Sequence, residues 1–318
     1  MDEYGLYHDA EVVNLRQIDL AEDLYGKEDK ETATSYNNIG VVYYNLACYN
    51  QALEYYNKAL TIYEKSHGTK NLDKAATYSN IAAVYIIRSD LKKALEYYFK
   101  TLAIHEEILG MKNPSTATTY SNIGIVYYKQ GDYSKAMEYY NKALAIQEKV
   151  IGLEHFDTSI SYNNIGMVYY ELANYDKALE YHSKTLAIRE KKLGMNHPST
   201  GTSYNNIGMD YCKKGEYAKA LECYFKALEI FKNKRGAEHP ETANTYNNIG
   251  FLYYLQGNYN KALEYLFLAL KIREKVLGKK HPSSVQSYSN IGLVYQKLGD
   301  YSNTLKYYFN ALDGRESS

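Results

Sequence analysis

The stretch Ser35–Gly40 reads SYNNIG, and close variants of it recur six more times along the 318-residue chain. The tyrosines of the seven copies are each 42 residues apart: Tyr36, Tyr78, Tyr120, Tyr162, Tyr204, Tyr246 and Tyr288. No insertion or deletion interrupts this spacing. Self-similarity with a period of roughly 20–50 residues is the signature of repeat architectures. The motif therefore predicts an array of equal units.

Within one unit, the apolar residues follow a helical period. The stretch 120–127 has them at i, i+3, i+4 and i+7, and the stretch 136–144 repeats this kind of spacing. The sequence KQGDY at 129–133 predicts the turn between the two helices. Gly110 suits a helix C-terminal cap, and Pro114 suits the first position of the next helix. Each unit is thus expected to be a helical hairpin that must stack on its neighbours.

The repeat frame also predicts the organisation of the chain. We expect residues 1–26 to form an N-terminal half repeat with a single helix. Residues 27–313 are expected to form seven 42-residue repeats, of which the last is truncated, and residues 314–318 a disordered tail. Neither end has an obvious polar capping helix, and the last hairpin is expected to expose Tyr308 and Leu312.

Composition excludes several classes of function. Lys plus Arg and Asp plus Glu both total 37, so the formal charge is zero, which argues against a non-specific nucleic-acid binder. No apolar run approaches the roughly 20 residues of a membrane helix, and the N-terminus lacks the features of a secretory signal. Three scattered cysteines favour neither a disulfide framework nor a zinc site, so a cytoplasmic location is expected.

The residues that define the unit resemble the tetratricopeptide repeat: Tyr-x-x-Ile-Gly-x-x-Tyr, then Gly-x-Tyr-x-x-Ala, then Tyr-x-x-Ala-Leu. The link ALKIREKVLGKKHPSSV, Ala269–Val285, is similar to the 42-residue version found in kinesin light chains. The resemblance implies an all-α fold, a right-handed superhelical solenoid of stacked hairpins whose first helices line the concave side. Only one helix precedes the array, in place of the coiled coil of kinesin light chains, so a motor subunit is not expected.

The motif asparagines are the candidate site. Successive residues turn by about 100° around a helix, so Asn38 lies nearly opposite Tyr36, on the face expected to line the groove. The residues of this face are Asn38, Asn80, Asn122, Asn164, Asn206, Asn248 and Asn290, with Asn37, Asn163, Asn205 and Asn247 beside them and Tyr44, Tyr128, Tyr170 and Tyr254 one turn or more further on. An ordinary solvated face would carry Lys and Glu, as the second helices do.

Two interpretations of the asparagines stay open. A carboxamide offers both a donor and an acceptor, and the backbone of an extended peptide needs both. In related tetratricopeptide superhelices the matching asparagine contacts the backbone of a bound peptide, and the resemblance implies that role for the seven positions. Alternatively, each asparagine bonds a neighbouring helix and fixes the angle between repeats.

Other patterns carry weaker signals. His155, His197, His239 and His281 recur at 42-residue spacing in the links, where one histidine per unit does not converge on a metal ion. Helix capping or a turn-filling role is expected instead. The unit between 200 and 236 is irregular, because Gly201, Asp210 and the pair at 234–235 replace the usual alanine, valine and apolar pair. We predict that this unit is the least stable one. The alternative is that Asp210 is a specificity residue in the groove.

The sequence contains no glycine-rich phosphate loop, no Ser-His-Asp set and no paired-carboxylate arrangement, so neither an enzyme, a cofactor nor a metal site is expected. The leading hypothesis is a protein-interaction scaffold that binds extended peptide segments of other proteins in its groove. The alternative is a structural array that assembles head to tail through uncapped ends. A third possibility is that the chain is part of a larger receptor or motor adaptor.

Overall fold

The computed structural model describes residue 13, residues 16–66 and residues 71–316, and these contain helices and no strand. Residues 16–25 form α1. The other helices are α2 (Lys30–Asn45), α3 (Tyr49–Ser66), α4 (Leu72–Ile87), α5 (Leu91–Ile108), α6 (Pro114–Lys129), α7 (Tyr133–Val150), α8 (Phe156–Glu171), α9 (Tyr175–Leu193), α10 (Pro198–Lys213), α11 (Tyr217–Lys234), α12 (Pro240–Leu255), α13 (Tyr259–Leu277), α14 (Pro282–Leu298) and α15 (Tyr301–Glu316). From α2 onward, the even-numbered helices are the first helices of hairpins and the odd-numbered ones are the second helices.

The chain forms two compact units, Met1–Leu153 and Glu154–Ser318. In each unit, a first helix packs along its own second helix, and that second helix packs against the first helix of the next hairpin. First helices also touch one another: α2 contacts α4 in the first unit, while α12 contacts both α10 and α14 in the second. This arrangement confirms the predicted class, an all-α solenoid of stacked hairpins.

The ends differ slightly from expectation. The predicted half repeat is helical over residues 16–25, and its earlier part lies largely outside the described residues. At the other end, we expected a disordered tail from residue 314, but α15 continues to Glu316. Gly314 is buried against Val285, which explains why the helix persists there. Residues 317–318 lie outside the described part of the chain.

Each of the seven first helices begins at a side-chain cap. Asn113 accepts a hydrogen bond from the Ser115 backbone N–H at 2.9 Å, and His239 accepts one from that of Glu241 at 3.2 Å. Such a bond satisfies an N–H that has no partner inside the helix. The caps are Asp29, Asn71, Asn113, His155, His197, His239 and His281. The recurring histidines are therefore helix caps, as predicted.

The glycine of the motif allows the two helices of a hairpin to touch. A Cβ atom on Gly124 would lie 2.6 Å from the ring of Tyr140, which is too close for two carbon atoms. Tyr140 is only 2% exposed, because its ring covers the Gly124 backbone. Glycine costs about 1 kcal/mol relative to alanine in a helix interior. Burial of a large side chain, about 1.5–3 kcal/mol, offsets that cost.

A tyrosine stack closes the other edge of the hairpin. Tyr139 of α7 lies 5.5 Å from Tyr127 of α6, with the ring planes 18° apart, and 6.1 Å from Tyr120. Lys142 Nζ lies 4.8 Å from the Tyr139 ring, and Lys135 Nζ lies 5.0 Å from the Tyr127 ring. The equivalent second-helix rings are Tyr55, Tyr97, Tyr181, Tyr265 and Tyr307. Aromatic pairs contribute about 0.5–1.5 kcal/mol beyond burial, so the tyrosines serve packing.

The joints between hairpins differ from one another. One position near the end of each second helix changes its residue along the chain: Tyr63, His105, Gln147, Arg189, Phe231 and Arg273. Three of these bond a hydroxyl of the next first helix: His105 with Thr119 at 2.9 Å, Arg189 with Ser203 at 2.9 Å and Arg273 with Ser287 at 2.7 Å. Burial lowers the pKa of Arg189, and it lowers that of Arg273 to about 10.

Candidate peptide-binding face

The motif asparagines lie on the first helices at the seams between hairpins. The second asparagine of the motif is exposed at Asn38 and half-buried at the other positions, Asn80, Asn122, Asn164, Asn206, Asn248 and Asn290. The first asparagine is half-buried at Asn37, Asn163 and Asn205, whereas Asn247 is only 5% exposed. Most of these carboxamides are therefore partly accessible, and we call this set of residues the carboxamide face.

Carboxamides of neighbouring hairpins bond to each other in both units. The Nδ2 of the second asparagine donates to the Oδ1 of the first asparagine in the preceding hairpin. These bonds run from Asn80 to Asn37 (3.1 Å), from Asn206 to Asn163 (2.9 Å) and from Asn290 to Asn247 (3.0 Å). Because each bond joins two first helices, these asparagines have a structural role in setting the register of adjacent hairpins.

Hydroxyl groups that were not among the predicted site residues extend these contacts. Asn37 Oδ1 also accepts a hydrogen bond from Thr77 Oγ1 at 3.1 Å. Asn205 Nδ2 donates to Thr245 Oγ1 at 2.9 Å. A signal was present in the sequence, because Ser or Thr directly precedes the motif tyrosine in all seven copies. The hydroxyl of the residue directly before the motif tyrosine faces the preceding hairpin.

Other carboxamides keep their hydrogen-bonding groups available. Asn38, Asn122 and Asn248 form no hydrogen bond with any residue that the structure describes. Asn206 uses its Nδ2 for the bond to Asn163, and its Oδ1 accepts none from the described residues. The carboxamide face thus contains asparagines that tie hairpins together and asparagines whose donor and acceptor groups are free. Asn164 differs from both, because its Nδ2 is buried without a partner among the described residues.

The four tyrosines of the face lie half-buried at the C-terminal ends of first helices. Each ring packs on the first tyrosine of the following helix: Tyr44 on Tyr49 (5.9 Å), Tyr128 on Tyr133 (5.7 Å), Tyr170 on Tyr175 (5.6 Å) and Tyr254 on Tyr259 (6.1 Å). Burial raises the pKa of Tyr170 to about 12. The hairpin turn therefore holds these rings in place while part of each remains accessible.

Apolar side chains lie next to the carboxamides. One turn after the second asparagine, every first helix has a half-buried residue, namely Val41, Ala83, Ile125, Met167, Met209, Phe251 or Leu293. Lys129, Lys213 and Lys297 are exposed at one margin, and Lys213 Nζ lies 6.0 Å from the Tyr170 ring. The face is consequently semi-apolar, with charge confined to its edge.

Asp210 does not belong to this face. It is fully buried, and its Oδ2 lies 2.6 Å from Nδ1 of His182, which is 1% exposed. The interpretation of Asp210 as a specificity residue in a groove was therefore wrong, because the side chain points into a joint between α9 and α10. Burial raises the pKa of Asp210, and the hydrogen bond with His182 opposes that rise.

The period and the hairpin geometry are those of a known repeat family. The sequence profile of the tetratricopeptide repeat matches residues 5–65, 31–107, 73–149, 157–233, 199–275 and 242–317. This chain belongs to the tetratricopeptide repeat family. No curated protein matches this tetratricopeptide protein by sequence. Among the described residues, no helix is both long and apolar enough to cross a bilayer.

Solved structures resemble this tetratricopeptide protein in fold. The apo form of the quorum sensor NprR from B. thuringiensis has a TM-score of 0.72 at 16% identity, covering 98% of this chain and 84% of its own. A Podosopora anserina putative kinesin light chain with nearly identical TPR-like repeats has a TM-score of 0.56 at 22% identity, covering 65% and 97%. BtubC (BKLC) from P. vanneervenii has a TM-score of 0.56 at 24% identity, covering 72% and 89%. Identities this low establish the fold alone.

Proposed function

We propose that this tetratricopeptide protein is a non-catalytic, cytoplasmic interaction scaffold that holds extended segments of other proteins against its carboxamide face. The observation that carries the proposal is the pair Asn122 and Asn248. Both are half-buried, and neither carboxamide bonds to a described residue. Ile125 and Phe251, one turn further on, are half-buried apolar neighbours.

This chemistry suits a peptide backbone. An extended peptide presents alternating N–H and C=O groups, and a free carboxamide can pair with one of each. The bonded asparagines, such as Asn37 with Asn80, hold adjacent first helices in one register before a ligand arrives. Preorganisation of this kind lowers the entropy cost of binding. Specificity would then come from the apolar and tyrosine positions between the carboxamides.

The two kinds of asparagine allow a direct test. Peptides of about 15 residues selected by phage display on the wild-type protein would serve as probes, with affinity measured by fluorescence polarisation. We expect Asn122→Ala to weaken the binding of peptides that contact the first unit, and Asn248→Ala that of peptides that contact the second, by about tenfold, the loss of one to two hydrogen bonds. Their unfolding midpoints should stay near that of the wild type, since neither side chain bonds the protein.

Matched variants separate binding from stability. Asn206→Ala removes a bond between hairpins and should lower the unfolding midpoint. Asn57→Ala changes an exposed asparagine on a second helix and should alter neither property. If the selected peptides bind Asn122→Ala and Asn248→Ala as tightly as the wild type, the carboxamide face is structural only and the proposal fails.

A second candidate function, head-to-tail self-assembly, rests on the surface of α15. Tyr301, Leu305, Phe309 and Leu312 form a stripe on this helix and are 71%, 57%, 63% and 50% exposed. The equivalent Leu263 and Phe267 of α13 are half-buried, and Leu270 is 6% exposed, because the next hairpin packs on them. A second copy could cover the α15 stripe in the same way.

Sedimentation over a hundredfold range of concentration tests this second candidate. Self-association that disappears in Leu305→Glu with Phe309→Glu would support it. A monomer at every concentration would count against it, and the peptide-binding test is independent of either result.

A further inference from the structure

One hairpin lacks the ring that closes its tyrosine stack. In the hairpin of α10 and α11, Cys223 occupies the position of Tyr139, Tyr181 and their equivalents. Ser183, on the preceding second helix, is also small. At the next two joints, a phenylalanine meets the stacked tyrosine edge-on: Phe225 with Tyr265 (6.3 Å) and Phe267 with Tyr307 (5.9 Å). Two small side chains thus replace an aromatic pair.

The missing ring leaves a hollow. Its volume is about 340 Å³, and its lining includes Leu186, Tyr204, Ile207, Tyr211 and Cys223 together with the charged residues Lys219 and Glu222. Small-molecule sites occupy roughly 300–1,000 Å³, and an apolar cavity of about 150 Å³ suffices to hold benzene. Burial raises the pKa of the Cys223 thiol to about 11, so this wall of the hollow is uncharged at neutral pH.

The hairpin of α10 and α11 retains the tyrosines and lysines that surround the second-helix ring in the hairpin of α8 and α9. Tyr204 and Tyr211 are the equivalents of Tyr162 and Tyr169, which flank the ring of Tyr181 at 5.9 and 5.6 Å. The two lysines are retained as well: Lys219 Nζ lies 5.2 Å from the Tyr211 ring, and Lys226 Nζ lies 5.4 Å from the Tyr204 ring. Tyr211 has no ring partner among the described residues.

We propose that this hollow is a binding site for a phenolic ring, which would stack on Tyr211 as the chain's own tyrosines stack in the other six hairpins. The ring would lie beneath the Lys226 ammonium, as four of those tyrosines lie beneath the equivalent lysine. The ring–ring and cation–ring contacts favour an aromatic ligand over an aliphatic one of equal size. The site lies apart from the carboxamide face, on the edge of the hairpin where the second helix is exposed.

The test uses p-cresol, which is a tyrosine side chain cut at Cβ. Saturable binding to the 318-residue protein should appear as chemical-shift changes of Leu186 and Ile207 methyl groups. Cyclohexylmethanol, an aliphatic compound of similar size, should bind at least tenfold more weakly. N-acetyl-tyrosinamide distinguishes the source of the phenol: if it also binds, a partner's tyrosine side chain enters the site, and if only p-cresol binds, the ligand is a small molecule.

Two variants make the proposal falsifiable. Cys223→Tyr restores the stack found in six hairpins, so it should raise the unfolding midpoint and abolish p-cresol binding. Tyr97→Cys removes the equivalent ring beside Asn57 in the first unit, and it should create a second site whose occupation by p-cresol recovers part of the lost stability. If neither probe binds the wild type, or if p-cresol binds Cys223→Tyr equally well, the hollow is not a phenol site.

Discussion

His182 Nδ1 lies 2.6 Å from Asp210 Oδ2, in a contact that joins the second helix of one hairpin to the first helix of the next. Both side chains are buried, and neither His182 Nε2 nor Asp210 Oδ1 has a partner among the described residues. In the other hairpins, the first position is Tyr or Leu and the second is Val or Leu. The pair therefore substitutes one polar contact for an apolar one found elsewhere in the array.

A double-mutant cycle measures the coupling in this pair. His182→Tyr alone leaves a buried carboxylate without its partner, and we expect a loss of about 3–5 kcal/mol in the free energy of unfolding. Asp210→Val alone leaves a neutral imidazole and should cost less, about 1–3 kcal/mol. The double variant restores the pattern of the other hairpins and should be neutral or stabilising. Urea unfolding of the wild type, the two single variants and the double variant gives the four free energies of unfolding. If the losses of the single variants simply add in the double variant, His182 and Asp210 are not coupled.

Buried tyrosines predict loss of stability at alkaline pH. Burial raises the pKa of Tyr98 to about 12, compared with about 10 in an unfolded chain. In the folded state, Tyr98 therefore keeps its phenolic proton to a higher pH than in the unfolded chain. Its contribution to the free energy of unfolding is fully present below pH 10 and is lost as the pH rises towards 12. The urea midpoint at pH 11 should be lower than at pH 8. Tyr98→Phe should reduce this pH dependence, and an unchanged dependence would be evidence against the assignment.

The histidine caps predict a specific substitution pattern. His239→Ala removes the acceptor for the Glu241 backbone N–H and should destabilise α12 by about 1 kcal/mol. His239→Asn should be tolerated, because Asn113 caps the equivalent helix α6. Thermal unfolding distinguishes the two variants. An equal loss of thermal stability in both variants would mean that the His239 imidazole stabilises the protein by packing and not by capping α12.

Hydrogen exchange tests the relative stability of the hairpins in the second unit. The stability of a repeat array is roughly a sum of unit and joint contributions. The hairpin of α10 and α11 combines the buried Asp210, with one oxygen unbonded, and the hollow at Cys223. We expect amides of α10 and α11 to exchange faster than those of α12 and α13. Uniform protection across the four helices would refute this ranking.

Local features of the fold follow from the sequence, whereas contacts between hairpins do not. Pro114 and Gly110 mark the link before α6, and both lie where the capping chemistry places them. The bond between Asn80 and Asn37 depends on the rotation between two hairpins, which no local pattern fixes. The burial of Asp210 could have been inferred, because valine occupies the equivalent position in most of the other first helices. In addition, His182 replaces the usual tyrosine 28 residues earlier.

The variable residue near the end of each second helix has a consequence for how so regular a chain finds its native state. Units of nearly equal sequence invite a second helix to dock on the wrong first helix, a characteristic failure of repeat proteins. Skipping one hairpin would bring Phe231, which has no side-chain donor, to the position of Arg273, which donates to Ser287 at 2.7 Å. Some wrong pairings thus lose a polar contact that the correct neighbour supplies, so part of the order of the hairpins is encoded at their borders while their interiors stay almost alike.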